Sequence, residues 1–119
     1  MTSLVPMAFV ASVPRAVAFY QKLGFALGNT FTPPDASEPA WAWLESGGAR
    51  LMVARATEPV IPSQQAVLFY VYCDDIGATH AALDARGIAP GPIQFPFYAA
   101  HGEFRVEDPD GYVVMVMQP

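Results

Sequence analysis

Tyr98, His101 and Glu103 lie within a span of six residues. A phenol, an imidazole and a carboxylate that close together could share general acid–base work. They are candidates for catalysis, but no matched nucleophile and base completes a constellation around them. The plainer reading is an exposed aromatic loop, residues 95–101, followed by a strand on which Glu103 and Arg105 face solvent. Elsewhere there is no Ser-His-Asp arrangement, Cys-x-x-Cys pair, P-loop or dinucleotide glycine fingerprint. Asp108-Pro109-Asp110-Gly111 has a calcium-like look, but too few oxygens follow it for a binding loop.

A second group of residues suits binding better than catalysis. Alternation along strands places Val5, Met7 and Phe9 on one face, Leu68, Tyr70 and Tyr72 on another, and Val113, Met115 and Met117 on a third. With Met52, Phe97, Tyr98 and His101 these make an apolar, aromatic and thioether-rich set suited to a flat or greasy ligand. The same pattern also fits a filled core that holds nothing. Trp41 and Trp43 share a strand face, from which they could stack on an aromatic or cationic ligand or pack at a dimer interface. His80 on a helix and Cys73 at a strand end read as packing groups.

The elements that must position these residues follow from local chemistry. Leu4–Ala11 reads as a buried strand. Ser12 caps a helix over Val13–Leu23, with Pro14 tolerated in the first turn and Gly24 as the stop. Phe25–Phe31 reads as a strand, and residues 32–39 as a breaker-rich loop. Ala40–Leu44 and Ala49–Ala54 pair around Glu45-Ser46-Gly47-Gly48. After a proline-containing connector, Ala66–Cys73 is a strand and Asp74 or Asp75 caps a helix over Ile76–Arg86, which Gly87 ends. Ile88–Gln94 is a weaker strand. The chain closes on a hairpin around Asp108-Pro109-Asp110-Gly111, where proline presets φ and glycine admits a positive one.

The second half repeats the first. Ser12 and Asp75, Gly24 and Gly87, Gly28 and Gly91, and Gly48 and Gly111 are each 63 apart. Helix caps, helix stops and hairpin turns therefore coincide under one ungapped shift, which predicts a βαβββ unit used twice. The chain is expected to be one α+β domain over residues 1–119. Module one covers about 4–54, a connector 55–65 and module two about 66–119. Neither half could bury both faces of its sheet alone, so the halves are expected to share a core.

Composition narrows the partners. Hydrophobic residues make up 53% of the 119 residues and charged ones 14%, which favours covering the surface by oligomerisation. Net charge is −5, with 6 basic and 11 acidic residues and no basic cluster, so nucleic acid is a poor partner. A neutral or cationic small ligand suits an acidic body better. Cys73 is the single cysteine, no apolar run is long enough to span a bilayer, and the first residues lack a signal-peptide pattern, so the expected location is the cytoplasm.

Four segments together resemble the vicinal oxygen chelate superfamily, the glyoxalase, bleomycin-resistance and ring-cleaving dioxygenase group. They are Ala18-Phe19-Tyr20-Gln21-Lys22-Leu23-Gly24-Phe25, Gly47-Gly48-Ala49-Arg50-Leu51-Met52, Asp74-Asp75-Ile76 and Glu107-Asp108-Pro109-Asp110-Gly111-Tyr112. The resemblance covers essentially the whole chain. It implies two modules whose curved sheets form a cup lined by the strand faces named above, with helices outside, usually in a homodimer or fused equivalent. It also implies four metal-ligand positions, His or Glu in metal-dependent members, which fall here on Val5, Met52, Leu68 and Met115. All four are apolar, and a thioether is too weak a donor for zinc, iron or manganese. No metal and no cofactor is therefore expected, and a metal-dependent glyoxalase- or dioxygenase-like enzyme is disfavoured.

The reading that follows is a metal-free protein of the bleomycin-resistance type. It is expected to be a homodimer that sequesters a drug-like or metabolite ligand through Met7, Phe9, Trp41, Trp43, Met52, Tyr70, Tyr72, Phe97, Tyr98, His101 and Met115. The rival is a metal-independent lyase or isomerase in the same cup, using Tyr98, His101 and Glu103. A third possibility is a structural dimer with a collapsed cup.

Overall fold

The computed structural model describes residues 1–119, which divide into two compact units, Met1–Ile61 and Pro62–Pro119. Unit one runs β1 (Met7–Val10), α1 (Val13–Lys22), β2 (Ala26–Phe31), β3 (Trp41–Ser46) and β4 (Ala49–Arg55). Unit two opens with a short 3-10 turn, Pro62–Gln64, followed by β5 (Leu68–Tyr72), α2 (Ile76–Ala85), β6 (Glu103–Glu107) and β7 (Val113–Met117). The sheet of unit one is ordered β1-β4-β3-β2, with β1 parallel to β4 and the rest antiparallel. The sheet of unit two is ordered β5-β7-β6, with β5 parallel to β7.

Both helices start and stop by the same chemistry. The Ser12 side chain accepts from the Arg15 amide at 3.3 Å, and Asp75 Oδ1 accepts from the Ala78 amide at 2.9 Å. Each occupies its N-cap in extended conformation, which satisfies an amide that the first turn leaves without a partner. At the other end Gly24 and Gly87 sit at φ 105° and 83°. The Gly24 and Phe25 amides donate to the Gln21 and Tyr20 carbonyls, and the Gly87 and Ile88 amides donate to the Asp84 and Leu83 carbonyls. This is the Schellman arrangement, built twice.

Helix α1 packs against β3 and β4. It buries Val13, Ala16, Val17 and Tyr20, and on the sheet Ala8, Val10, Ala42, Leu44, Leu51 and Val53 are buried as well. In unit two Ile76 and Leu83 of α2 are buried, as are Phe104, Val106, Val114 and Val116. His80 of α2 is half-buried, edge-on to Phe104 with ring centroids 4.9 Å apart, and its Nε2 lies 2.9 Å from the Gly91 carbonyl. His80 thus has a packing role.

Three expectations change. Residues 88–94 form no strand: only an isolated bridge joins Gln94 to Glu103, and the Gly91 amide donates to the Arg105 carbonyl. Pro90 and Pro92 carry no amide hydrogen, so a continuous ladder cannot form there.

The two hairpins also differ. Strands β3 and β4 meet across the two-residue turn Gly47-Gly48, in which Gly47 holds the positive φ. Strands β6 and β7 are separated by five residues, Asp108–Tyr112, with Gly111 at φ 85°. In that turn Asp108 Oδ1 accepts from the Asp110 and Tyr112 amides at 2.8 and 2.9 Å.

The consequence is a one-residue slip in the repeat. Met52 is paired with Trp43 and Met115 with Arg105, so β4 and β7 are related by 63 while β3 and β6 are related by 62. Finally, β1 begins only at Met7, leaving Val5 outside it.

Candidate functional site

In each unit one face of the sheet lies against a helix and the other does not. The second face of unit one is built in rows fixed by strand register. Met7, Met52 and Trp43 form one row, and Phe9, Ala54, Trp41 and Phe31 form the next. Met7, Phe9 and Phe31 are exposed, whereas Met52, Trp41 and Trp43 are half-buried. Side chains on the reverse of the same strands, such as Leu44 and Val53, are fully buried. Trp43 lies over Gly28, where an added Cβ would stand 2.9 Å from Trp43 Cδ1, and its indole donates to Glu45 Oε1 at 2.6 Å. An indole seated on glycine and tied at its nitrogen presents a fixed aromatic surface.

Phe31 was missing from the sequence-derived set. The register of β2 against β3 shifts between Leu27 and Thr30, so simple alternation along β2 does not reveal which face Phe31 occupies. The signal available was Gly28, since a glycine inside a strand marks a bulge or a close approach.

The corresponding face of unit two has the rows Leu68–Val113–Glu107, Tyr70–Met115–Arg105 and Tyr72–Met117–Glu103. Tyr70 and Tyr72 are exposed and stacked, with centroids 6.4 Å apart. The one-residue slip gives this face its chemistry. Where unit one has Trp41 and Trp43, unit two has Glu103 and Arg105.

Glu103 does not face solvent as alternation along an edge strand would have it; it is 5% exposed. Its backbone is paired on both sides, with Met117 of β7 and, through reciprocal bonds of 2.8 and 2.9 Å, with Gln94. The segment before β6 therefore covers it. The Tyr98 hydroxyl donates to Glu103 Oε1 at 2.8 Å, while Oε2 is buried without a hydrogen-bond partner. Arg105 is turned to Glu107, 3.9 Å away, in an exposed pair. The hydrogen bond to Glu103, together with partial desolvation and the neighbouring Tyr70, pushes the Tyr98 phenol up to about 12.

The three sequence-derived catalytic candidates are only partly brought together. Tyr98 and Glu103 are bonded, but His101 is exposed and stands outside that bond. Phe97 packs edge-on against Tyr98 and is 99% exposed. Beside Glu103 a cavity of 440 Å³ is lined by Ala89, Gly91, Pro92, Gln94 and Met115, among others.

The residues present do not fit a divalent ion. Met52 is opposite Met7, and Met115 is opposite Tyr70, so the facing donors are thioethers and a phenol. No group of three or more His, Cys, Asp or Glu side chains converges to hold a metal. No helix is long and apolar enough to cross a membrane.

A model of the Glyoxalase/Bleomycin resistance protein/Dioxygenase superfamily matches residues 4–116. No curated protein matches the chain. Among solved structures, the chain is similar to a bleomycin resistance determinant encoded on transposon Tn5, at 17% identity and TM-score 0.78 over 99% of this chain and 98% of that one. It is equally similar to a bleomycin-binding protein complexed with bleomycin, at 17% identity and TM-score 0.78 over 100% and 99%. A bleomycin-binding protein from bleomycin-producing Streptomyces verticillus, complexed with copper(II)-bleomycin, matches at 22% identity and TM-score 0.73 over 100% and 97%. At these identities the likeness is one of fold.

Proposed function

The chain belongs to the glyoxalase/bleomycin resistance protein/dioxygenase superfamily, and from that premise we propose that it is a small-molecule binding protein of the bleomycin-resistance type. It sequesters a drug-like or metabolite ligand without metal, by stacking and apolar contact. The observation that carries this is the contrast between the two faces of the first sheet. One is buried with α1, while the other leaves Met7, Phe9, Trp41, Trp43 and Met52 exposed or half-buried. Contiguous apolar surface left uncovered marks a place where something else binds. The bleomycin-binding proteins among the structural neighbours support the ligand class.

Part of the proposal is that the protein works as a cytoplasmic homodimer. The low charge fraction and the exposed aromatic side chains of both sheets support pairing, because a second copy would cover some of that surface. The test is a thermal-shift screen of aromatic and glycopeptide antibiotics, bleomycin included, alongside the molecular mass in solution. A concentration-dependent rise in Tm with at least one compound and a dimer mass are expected. No stabilisation by any compound would count against sequestration.

A further inference from the structure

Glu103 is the one place on the second sheet's open face where a full charge is withdrawn from water. Removing a carboxylate from solvent is costly unless its lone pairs are satisfied. Here the burial is 95%, given an exposure of 5%, and only Oε1 is satisfied, by Tyr98. Oε2 is buried with no hydrogen-bond partner. The cation nearest in sequence, Arg105, is engaged with Glu107. Glu103 is also one of the residues around the 440 Å³ cavity, together with Gln94, Arg105 and Glu107 and the apolar Ala89, Pro92 and Met115. A buried acceptor without a partner, next to a cavity, can be satisfied by a donor from outside the chain once the groups covering it shift.

We propose that Glu103 is the polar anchor of the binding site in unit two, with Oε2 accepting an N–H from a cationic nitrogen of the ligand, an amidinium or protonated amine attached to a flat apolar body. This rests on the reading of the protein as a small-molecule binder and names the class of molecule it selects. Tyr98 is a positioning residue: its hydroxyl holds Oε1 and thereby fixes the direction in which Oε2 points. A neutral ligand of the same shape would leave the carboxylate desolvated without a countercharge, so the site discriminates by charge as well as by shape.

The experiment compares two probes of one shape, 2-naphthamidine and 2-naphthamide, by following amide shifts of the full chain in ¹H–¹⁵N spectra. The expected result is that the amidinium binds about tenfold or more tightly than the amide, as a charge-assisted hydrogen bond in a desolvated site allows. Its shifts should centre on Gln94, Glu103 and Met115, and Glu103→Gln should erase the preference by weakening the amidinium. Gln keeps an acceptor for Tyr98, so the fold should tolerate it. Equal affinities in the wild-type protein would overturn the anchor role, whatever the variant does, and leave the apolar binding reading standing. Binding of neither probe at millimolar concentration would overturn both. An unchanged preference in Glu103→Gln would assign the selection to another group and overturn the proposal.

Discussion

Trp41 and Glu103 occupy equivalent places in the two units. Trp41 stands opposite Ala54 beside Phe9, and Glu103 stands opposite Met117 beside Tyr72. The equivalence depends on a spacing of 62 rather than 63, because the second hairpin turn adds one residue to the path between its paired strands. One unit thus presents an indole where the other presents a buried carboxylate. The repeated framework carries a tryptophan face in one unit and a face with a buried carboxylate in the other.

Neighbouring residues on β3 should respond to truncation in opposite ways. Leu44 is fully buried and Trp43 is half-buried on the open face. Leu44→Ala is expected to cost about 2–5 kcal/mol of stability. Trp43→Ala should cost less than about 2 kcal/mol, because its ring is only partly withdrawn from water, yet it should lower ligand affinity at least about tenfold. Urea denaturation and a binding titration on the two variants read this directly. Equal stability losses would mean that the open face is core.

Two glycines with positive φ should differ in what alanine does to them. At Gly87 an added Cβ meets nothing within 4 Å, so Gly87→Ala carries only the backbone penalty, about 1 kcal/mol. At Gly111 the same Cβ would overlap the Pro62 carbonyl oxygen and fall 2.5 Å from its Cα. Gly111→Ala is therefore expected to cost at least about 3 kcal/mol, with strain and overlap acting together. Similar losses at both sites in chemical denaturation would contradict the close approach of the turn to residue 62.

The helix starts offer a third check. Asp75→Ala removes the acceptor of the Ala78 amide and should destabilise by about 1 kcal/mol, with Ser12→Ala giving a loss of the same order. Asp75→Asn, which keeps an acceptor at the cap, should restore most of the stability. If Asn and Ala behave alike, the cap bond contributes nothing.

Tyr98 should ionise above the ordinary range of a tyrosine. Its ordinary value of 10.0 is raised to about 12 because the phenol donates to an anionic acceptor, and ionisation breaks that bond. A pKa raised in the folded state means that the stabilisation is fully present below pH about 10 and is lost as pH climbs through about 12. Ultraviolet titration near 295 nm should show a high-pH step that is missing in Tyr98→Phe. A Tyr98 step near pH 10 would mean that the bond to Glu103 is absent in solution.

Much of the framework was legible in the sequence, because the signals that set it are local. Ser12, Asp75, Gly24 and Gly87 each act within one turn of helix, so their residue types reveal their roles. The apolar faces were also legible where strands are regular, as at Met7, Phe9, Tyr70 and Tyr72. Legibility failed where a distant partner decides the outcome. The burial of Glu103 comes from Gln94 and the segment before it, which alternation along β6 cannot see. The slip that aligns Trp41 with Glu103 is set by the turn at Asp108–Tyr112, whose extra residue an ungapped comparison hides. The strand expected at 88–94 failed for a local reason that was in plain view, since Pro90 and Pro92 have no amide to donate.

The central claim is that an apolar, aromatic face binds a small molecule without metal. Trp41 and Trp43 are the only tryptophans in the chain and both lie on that face, so tryptophan fluorescence, excited at about 295 nm to leave out the tyrosines, reports on it. The decisive measurement is a fluorescence titration of chelator-treated protein with bleomycin and a panel of other aromatic antibiotics. A saturable change with at least one compound, unaffected by added zinc, nickel or iron, is the predicted result. No saturable change with any compound, or a change that appears only once a metal is restored, would contradict the account.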